Sequence, residues 1–387
     1  MDFSLTPEQD SLLELARDFS RREVAPHVAE YDRDERYPVE IIAKAAALGL
    51  LGGVVAPEYG GAGLDFKTYA MIVEEVSRVC HVVGLSMTLA SGLVGSSIES
   101  FGTEEQKQRY LVPLARGERF GGAGVTEARS GTDVSDMDTT CRRDGTDYIL
   151  NGAKMWISFL DVASWFLTFA HLGVDETTGR KRICAFIVDA DLAGVSVHPV
   201  SNKFGFRPIK TGELVFEDVR VPRDALVGEE GRGFTVAMNA VENGRLGVAS
   251  RATGLAQAAV DAMVGYARER VVFRSPLAGF QMVQQMIADA ATTTDAARLL
   301  VLRLADLKDR GLRARAEASM AKQFASDAAM SAALAAFQIH GAYGVSEDYP
   351  VGRYLRDAKV FQIVEGSNQI HRAMLAEYAL GYRGPDR

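Results

Sequence analysis

Glu365 is the single carboxylate in the run Val360-Phe361-Gln362-Ile363-Val364-Glu365-Gly366-Ser367-Asn368, between an apolar stretch and a turn that opens a last helix. Apolar neighbours withhold solvent from a carboxylate, raise its pKa and make it a base matched to neutral pH. Gly366 beside it lets a ligand approach the backbone closely. A Glu at a helix start is also an ordinary partner of the helix dipole, so this segment alone leaves both readings open.

Other stretches carry chemistry of a different kind. Gly121 to Asp133 is rich in Gly, Thr and Ser; backbone N–H groups and hydroxyls in such a loop hold a heterocycle edge or a phosphate, although a plain hairpin at a domain entry has the same composition. Asn151-Gly152-Ala153-Lys154-Met155-Trp156-Ile157-Ser158 contains one of two tryptophans, a residue whose usual place in a strand is the core. Glu242-Asn243-Gly244-Arg245 reads as the beginning of a long helix, and Arg suits phosphate and carbonyl recognition.

In this order, the stretches resemble the acyl-CoA dehydrogenases, flavoenzymes that oxidise a thioester between its α and β carbons. Thr126-Glu127-Ala128-Arg129-Ser130-Gly131-Thr132-Asp133 is similar to the family's flavin loop, with Ala128 in place of Pro and a hydroxyl retained at Thr132. Trp156 and Ser158 match the family residues that pack on the flavin ring and bond its N5. Arg268-Glu269-Arg270-Val271-Val272-Phe273 resembles a motif that reaches the flavin of a neighbouring subunit, with Arg274 where the family has Gly. Phe280-Gln281-Met282-Val283-Gln284 and Gln338-Ile339-His340-Gly341-Ala342-Tyr343-Gly344 resemble motifs at the adenine and pyrophosphate end. The resemblance implies FAD held by Val125, Thr126, Thr132, Trp156, Ile157, Ser158, Arg270, Phe273, Gln281, Gln338, Ile339, Gly341, Ala342, Ser367 and Gln369. It implies substrate contacts from Thr132, Glu242, Arg245, Val364 and Gly366, and Glu365 as the base that takes the α-proton. A subgroup of the family carries its base at the position of Gly244, which here has none to offer. Many straight-chain members place Tyr before the base; Val364 leaves more room, which favours a short or α-branched acyl group.

These residues need a scaffold, and the periodicities describe one. Leu12, Leu13, Ala16 and Phe19, then Met71, Val73, Val76 and Val79, recur at helical spacing up to about Leu114, around a Gly-rich connection at 52–63. Between about Gly121 and Gly233 short apolar runs (148–150, 165–169, 183–188, 195–197, 214–216), separated by Asp-Gly, Asn-Gly and Thr-Gly pairs, read as strands of an antiparallel barrel or sandwich. From Phe234 onward the chain reads as long Ala-rich helices over 234–272, 280–310 and 313–339, of the kind that packs against a second subunit. The expected fold is α+β and acyl-CoA dehydrogenase-like. It has an N-terminal helical domain (1–120), a middle antiparallel β domain (121–233) and a C-terminal four-helix bundle (234–387).

Composition narrows the classes. The chain has 387 residues, 47% hydrophobic and 24% charged, with net charge −8, which fits several globular domains and argues against a nucleic-acid footprint. No window reads as about 20 consecutive apolar residues, and Met1-Asp2-Phe3-Ser4-Leu5-Thr6 carries no leader pattern, so a cytoplasmic protein without a membrane span is expected. Three scattered cysteines (Cys80, Cys141, Cys184) read as reduced thiols, and six histidines without ligand spacing leave no metal site. No Gly-x-Gly-x-x-Gly follows a strand and no Glu-x-x-His pair exists, which disfavours a nicotinamide site and a di-iron desaturase. The resemblance implies an FAD-dependent dehydrogenase converting an acyl-CoA to a trans-2-enoyl-CoA. A homotetramer and an electron-transferring flavoprotein acceptor are implied by the resemblance. The nearest alternatives are an oxidase of the same fold, or a dehydrogenase of acyl-carrier-protein or pathway-specific thioesters; a helical scaffold without catalysis is more remote.

Overall fold

The computed structural model describes residues 4–384; the leader reading at Met1-Asp2-Phe3 lies outside them, as do the outermost residues of the first and third domains. Helix α1 (Pro7–Phe19) starts where Thr6 and Gln9 cap each other: the Thr6 hydroxyl accepts from Gln9 N at 3.2 Å, and Gln9 Oε1 accepts from Thr6 N at 3.1 Å. Then follow α2 (Val28–Arg33), α3 (Val39–Ala47), α4 (Phe66–Val79), α5 (His81–Ser91), α6 (Gly95–Phe101), α7 (Glu104–Gln106) and α8 (Val112–Ala115). Asp65 caps α4 by accepting from Thr68 N at 2.7 Å. The stretch His81–Phe101 meets the length and hydropathy of a membrane-crossing segment, but 83% of its apolar window is buried within the protein. It is core, packed under α4 and the long helix described below.

The middle domain is one sheet of β1 (Phe120–Gly124), β2 (Thr140–Asp144), β3 (Asp147–Ser158), β4 (Ala163–Val174), β5 (Lys181–Asp189), β6 (Val195–Pro199), β7 (Thr211–Val221) and β8 (Leu226–Val227). Its order is β6-β7-β3-β2-β4-β5-β8, with β1 beside β4. Pairing is antiparallel except that β1 and the end of β2 run parallel to β4. Leu150, Phe166, Phe186, Leu214 and Phe216 fill its inner face. The glycine run 121–124 is strand and not loop. A Cβ at Gly121 would lie 2.4 Å from the Trp165 ring and one at Gly122 2.6 Å from Phe166, so those glycines exist to admit aromatic core.

Helix α9 (Gly233–Glu269) has 37 residues and is the axis of the third domain. It packs on α10 (Gln281–Asp309), α11 (Arg315–His340) and α12 (Val351–Phe361), and α13 (Asn368–Ala379) closes the chain. Alanines 318, 321, 325, 328, 329, 332, 333 and 336 of α11 are all buried, small side chains that let helices approach closely. The expected helix 234–272 ends at Glu269, because Val271–Val272 pairs with Ser275–Pro276 as a hairpin, β9 and β10. β-Branched valines favour the extended state and Pro276 cannot continue a helix. Glu242 and Arg245 consequently lie in the third and fourth turns of α9, not at its start.

Candidate active site

Glu365 sits between α12 and α13 at φ 53°, a left-handed conformation uncommon for a residue with a Cβ and most frequent at functional sites. The turn is held by its own surroundings. His371 Nε2 meets the Glu365 carbonyl at 3.3 Å, and because a carbonyl only accepts, the ring donates. Lys322 Nζ donates to Gly366 O at 2.6 Å and to Asn368 Oδ1 at 3.0 Å. Burial pushes His371 down to about 3, so the ring is neutral.

That conformation sends the carboxyl across to α9. A Cβ at Gly244 would lie 2.2 Å from Glu365 Oε2, so only glycine admits the carboxylate there. Oε2 is buried without a hydrogen-bond partner. Burial raises the Glu365 pKa from 4.5 to about 7, opposed by the positive charges of Arg251, Arg245 and Lys322. Burial in turn lowers Arg251 to about 10, Lys322 to about 8 and Arg245 below its ordinary value. A half-ionised carboxylate at neutral pH, with one oxygen free, is equipped to take a proton from a weak carbon acid.

The cations differ in how they are held. Arg245 Nη1 donates to Ser319 Oγ at 3.4 Å, while its Nε is buried and unpartnered. Glu242, on the same stretch, accepts from Arg315 Nε at 3.1 Å. Arg251, Lys322 and His371 escape a reading of sequence. Lys322 and His371 look like any helical residues, and the available signal for Arg251 is a charged side chain inside the small-residue run Leu246–Ala256.

A second group lies on the β domain. Met155 N donates to Thr126 O at 2.8 Å, joining the loop after β1 to β3. The register of β3 against β7 breaks between Lys154 and Ile157, and Trp156 takes φ 64° there. This bulge turns the indole outward, 58% exposed, with Ile157 buried. The usual burial of a strand Trp is overridden here by that bulge. Ser158 Oγ lies 3.5 Å from Thr211 Oγ1. Beneath the loop, Lys154 Nζ and Glu127 Oε1 are 2.7 Å apart, 0% and 5% exposed. Glu127 also accepts from Thr139 Oγ1 at 2.6 Å and Thr139 N at 3.0 Å. Val125 and Thr126 are partly exposed and Thr132 is exposed. An uncovered indole face, the Ser158 hydroxyl as donor and a loop pinned through the Thr126 carbonyl fit the face and edge of a flat heterocycle.

A third group lies at the far end of α9. Arg270 is its C-terminal cap and stacks over Tyr343 at 5.6 Å. Phe273 and Arg274 make the β9–β10 turn at φ 48° and 65°, so the left-handed turn survives without glycine. Phe273 is 93% exposed. Gln281 opens α10, exposed; Gln338 is exposed and Ile339 buried near the end of α11, with Gly341 at φ 59° and exposed Ala342 following. Ser367 caps α13 and Gln369 is exposed in its first turn. Val364 and Gly366 flank Glu365 and join the first group.

Comparison with known proteins identifies the family. Models of the acyl-CoA dehydrogenase N-terminal, middle and C-terminal domains match residues 6–118, 122–219 and 231–380. A short-chain-specific acyl-CoA dehydrogenase of Clostridium acetobutylicum is 41% identical over 97% of this chain and 99% of its own. The solved butyryl-CoA dehydrogenase of Megasphaera elsdenii superposes with TM-score 0.91 at 38% identity, over 98% of this chain and all of that one. A chain of the structure described as the electron-transferring flavoprotein of Acidaminococcus fermentans superposes at 0.94 and 41% identity, over 98% and 100%. With all three domain models matched and relatives near 40% identity over almost its full length, this chain belongs to the acyl-CoA dehydrogenase family of FAD-dependent oxidoreductases acting on CH–CH bonds.

Proposed function

We propose that the chain oxidises a short acyl thioester, with Glu365 removing the α-proton. The observation that carries this reading is the Glu365 carboxyl, buried over Gly244 with one unpartnered oxygen and a pKa raised to about 7. FAD, when bound, accepts the hydride that leaves the β-carbon. Trp156, Ser158, Val125 and Thr126 hold its ring, and Thr132, Arg270, Phe273 and Gln281 hold the remainder. The Glu365 N–H supplies a donor where enolate charge develops on the thioester oxygen. Arg245 and Glu242 face the CoA portion. Exposure of Phe273 supports a site completed across a homotetramer, and the Acidaminococcus match supports electron-transferring flavoprotein as the acceptor.

A short acyl group is supported by Val364 and by the short-chain and butyryl-CoA relatives. One methylene of pocket volume is worth about 1–3 kcal/mol in discrimination. Glu365→Gln should keep FAD and bind thioester, yet slow flavin reduction by at least the ~10²–10⁴-fold typical of one proton-transfer group. Stopped-flow bleaching of the flavin measures it, and near-normal reduction would remove the assignment.

A further inference from the structure

Arg251 is a buried cation with no anion of its own. It is 2% exposed, and its Nη1 is enclosed without a hydrogen-bond partner. Nε donates to the Gly247 carbonyl at 3.2 Å, and the guanidinium carbon stands 5.4 Å from the Phe361 ring. Among the described residues, Glu365 is the charged group that acts on it.

The direction of this side chain matters. Arg251 lies seven residues after Gly244, two turns along the same face of α9. Its bond to Gly247 shows that it folds back along that face, toward the carboxyl lying on Gly244. Glycines on α5, just after it and on α9 bring the two helices close together here. A Cβ at Gly84 would come 3.3 Å from Arg251 Cγ, one at Gly247 3.0 Å from Thr88 Cβ, and one at Gly92 3.6 Å from Gly244 Cα. Along a seam of Gly84, Thr88, Gly92, Gly244 and Gly247, Arg251 is the long polar side chain.

An unpaired buried charge is strongly unfavourable. Glu365 is a poor permanent partner, since it is half neutral near pH 7 and becomes neutral on taking a proton. A planar guanidinium fork is matched best by a carboxylate. We propose that Arg251 binds a carboxylate carried by the acyl group, so that the substrate class is a short thioester of a dicarboxylic acid. This rests on the reading of Glu365 as base. It assigns Arg251 to specificity and explains why a cation stays buried beside the site in the free protein.

The test uses the FAD-loaded protein and length-matched thioesters: succinyl-CoA, glutaryl-CoA, the methyl ester of glutaryl-CoA, butyryl-CoA and octanoyl-CoA. At least one diacid thioester should exceed its neutral counterpart in kcat/KM for flavin bleaching by 100-fold or more. Arg251→Gln should erase that preference, and Arg251→Lys should restore part of it. Calorimetry with Glu365→Gln as the host gives a readout apart from turnover. There, adding Arg251→Gln should weaken diacid binding by 100-fold while butyryl-CoA binding changes less than 10-fold. Equal rates and affinities for glutaryl-CoA and its methyl ester would overturn the proposal. So would an Arg251→Gln variant that slows every thioester by one common factor and moves only the pH profile, because Arg251 would then serve Glu365 alone. If no thioester bleaches the flavin, the Glu365 reading fails, while the calorimetric pair still decides for or against Arg251.

Discussion

At the scale of single residues, the protonation of Glu365 couples activity and stability with opposite signs. Its pKa is raised from 4.5 to about 7 by burial, against Arg251, Arg245 and Lys322. The ionised base therefore accumulates as pH rises through 7, and kcat for flavin reduction should rise on the same limb. Stability runs the other way. Below pH 4.5 both folded and unfolded carboxyls are protonated and nothing is lost. Between 4.5 and 7 the unfolded chain ionises first, so stability falls by about 1.4 kcal/mol per unit, roughly 3 kcal/mol in all. Glu365→Gln should then be more stable than the native protein at pH 8 by up to that amount and equal to it at pH 4; urea unfolding at both values measures it. Geometry allows a second test. The Gly244 Cβ position touches Glu365 Oε2, so a carboxylate borne by residue 244 would occupy the same space. Glu365→Gly combined with Gly244→Glu should recover flavin reduction by about 10²-fold over Glu365→Gly alone, the order of one positioned base. No recovery would show that the left-handed turn at 365 aims the base in a way α9 cannot.

At the scale of elements, the buried Lys154–Glu127 pair anchors the loop after β1 that is proposed to hold the flavin. It ties the turn after β1 to the bulged strand that carries Trp156, and neither charge has solvent to fall back on. Removing one partner of such a pair costs about 3–5 kcal/mol. Lys154→Met should lose stability of that order and release FAD on dilution, whereas Lys181→Met, on a partly exposed lysine of the same sheet, should do neither. Retained FAD with unchanged unfolding would separate the pair from the cofactor. These contacts explain what a sequence can and cannot announce. Helices and strands were legible because their apolar periods follow directly from one-sided burial: every strand run from Tyr148 to Phe216 falls inside an observed strand. The exposure of Trp156 was legible only through the family resemblance, since it depends on a one-residue register break against β7. Glycines 121 and 122 read as loop because the Trp165 and Phe166 rings that require them lie more than forty positions away. The buried setting of the Glu365 carboxyl was readable from its apolar neighbours, while that of Arg251 was hidden, because it arises from proximity across helices.

At the scale of the whole molecule, the three groups of site residues lie on two domains, one on the middle domain and two at different places on the third, and one of them faces outward. Phe273, Met282, Tyr343 and Val345 are large apolar side chains with 93%, 79%, 50% and 75% exposure, at the end of α9, the start of α10 and the turn after α11. A single exposed hydrophobe is ordinary, but a set gathered at one end of a helical bundle marks an interface. The turn that presents Phe273 is strained, with two successive non-glycine residues at positive φ, and strain of about 1–3 kcal/mol per residue persists where the surroundings or a partner demand it. Arg270 stands beside it, held over Tyr343 and otherwise open to solvent, where the proposed shared site would put the pyrophosphate of a neighbouring copy. If the flavin site is shared in this way, assembly and cofactor retention form one equilibrium, because a ligand that binds only the assembled form stabilises it by mass action. Phe273→Asp and Arg270→Ala should each shift the protein toward smaller species in analytical ultracentrifugation and lower the flavin-to-protein ratio. Added FAD should reverse the shift more fully for Arg270→Ala, which keeps the apolar contact. A monomeric Phe273→Asp protein with one FAD per chain would exclude sharing and place the whole cofactor within a single copy.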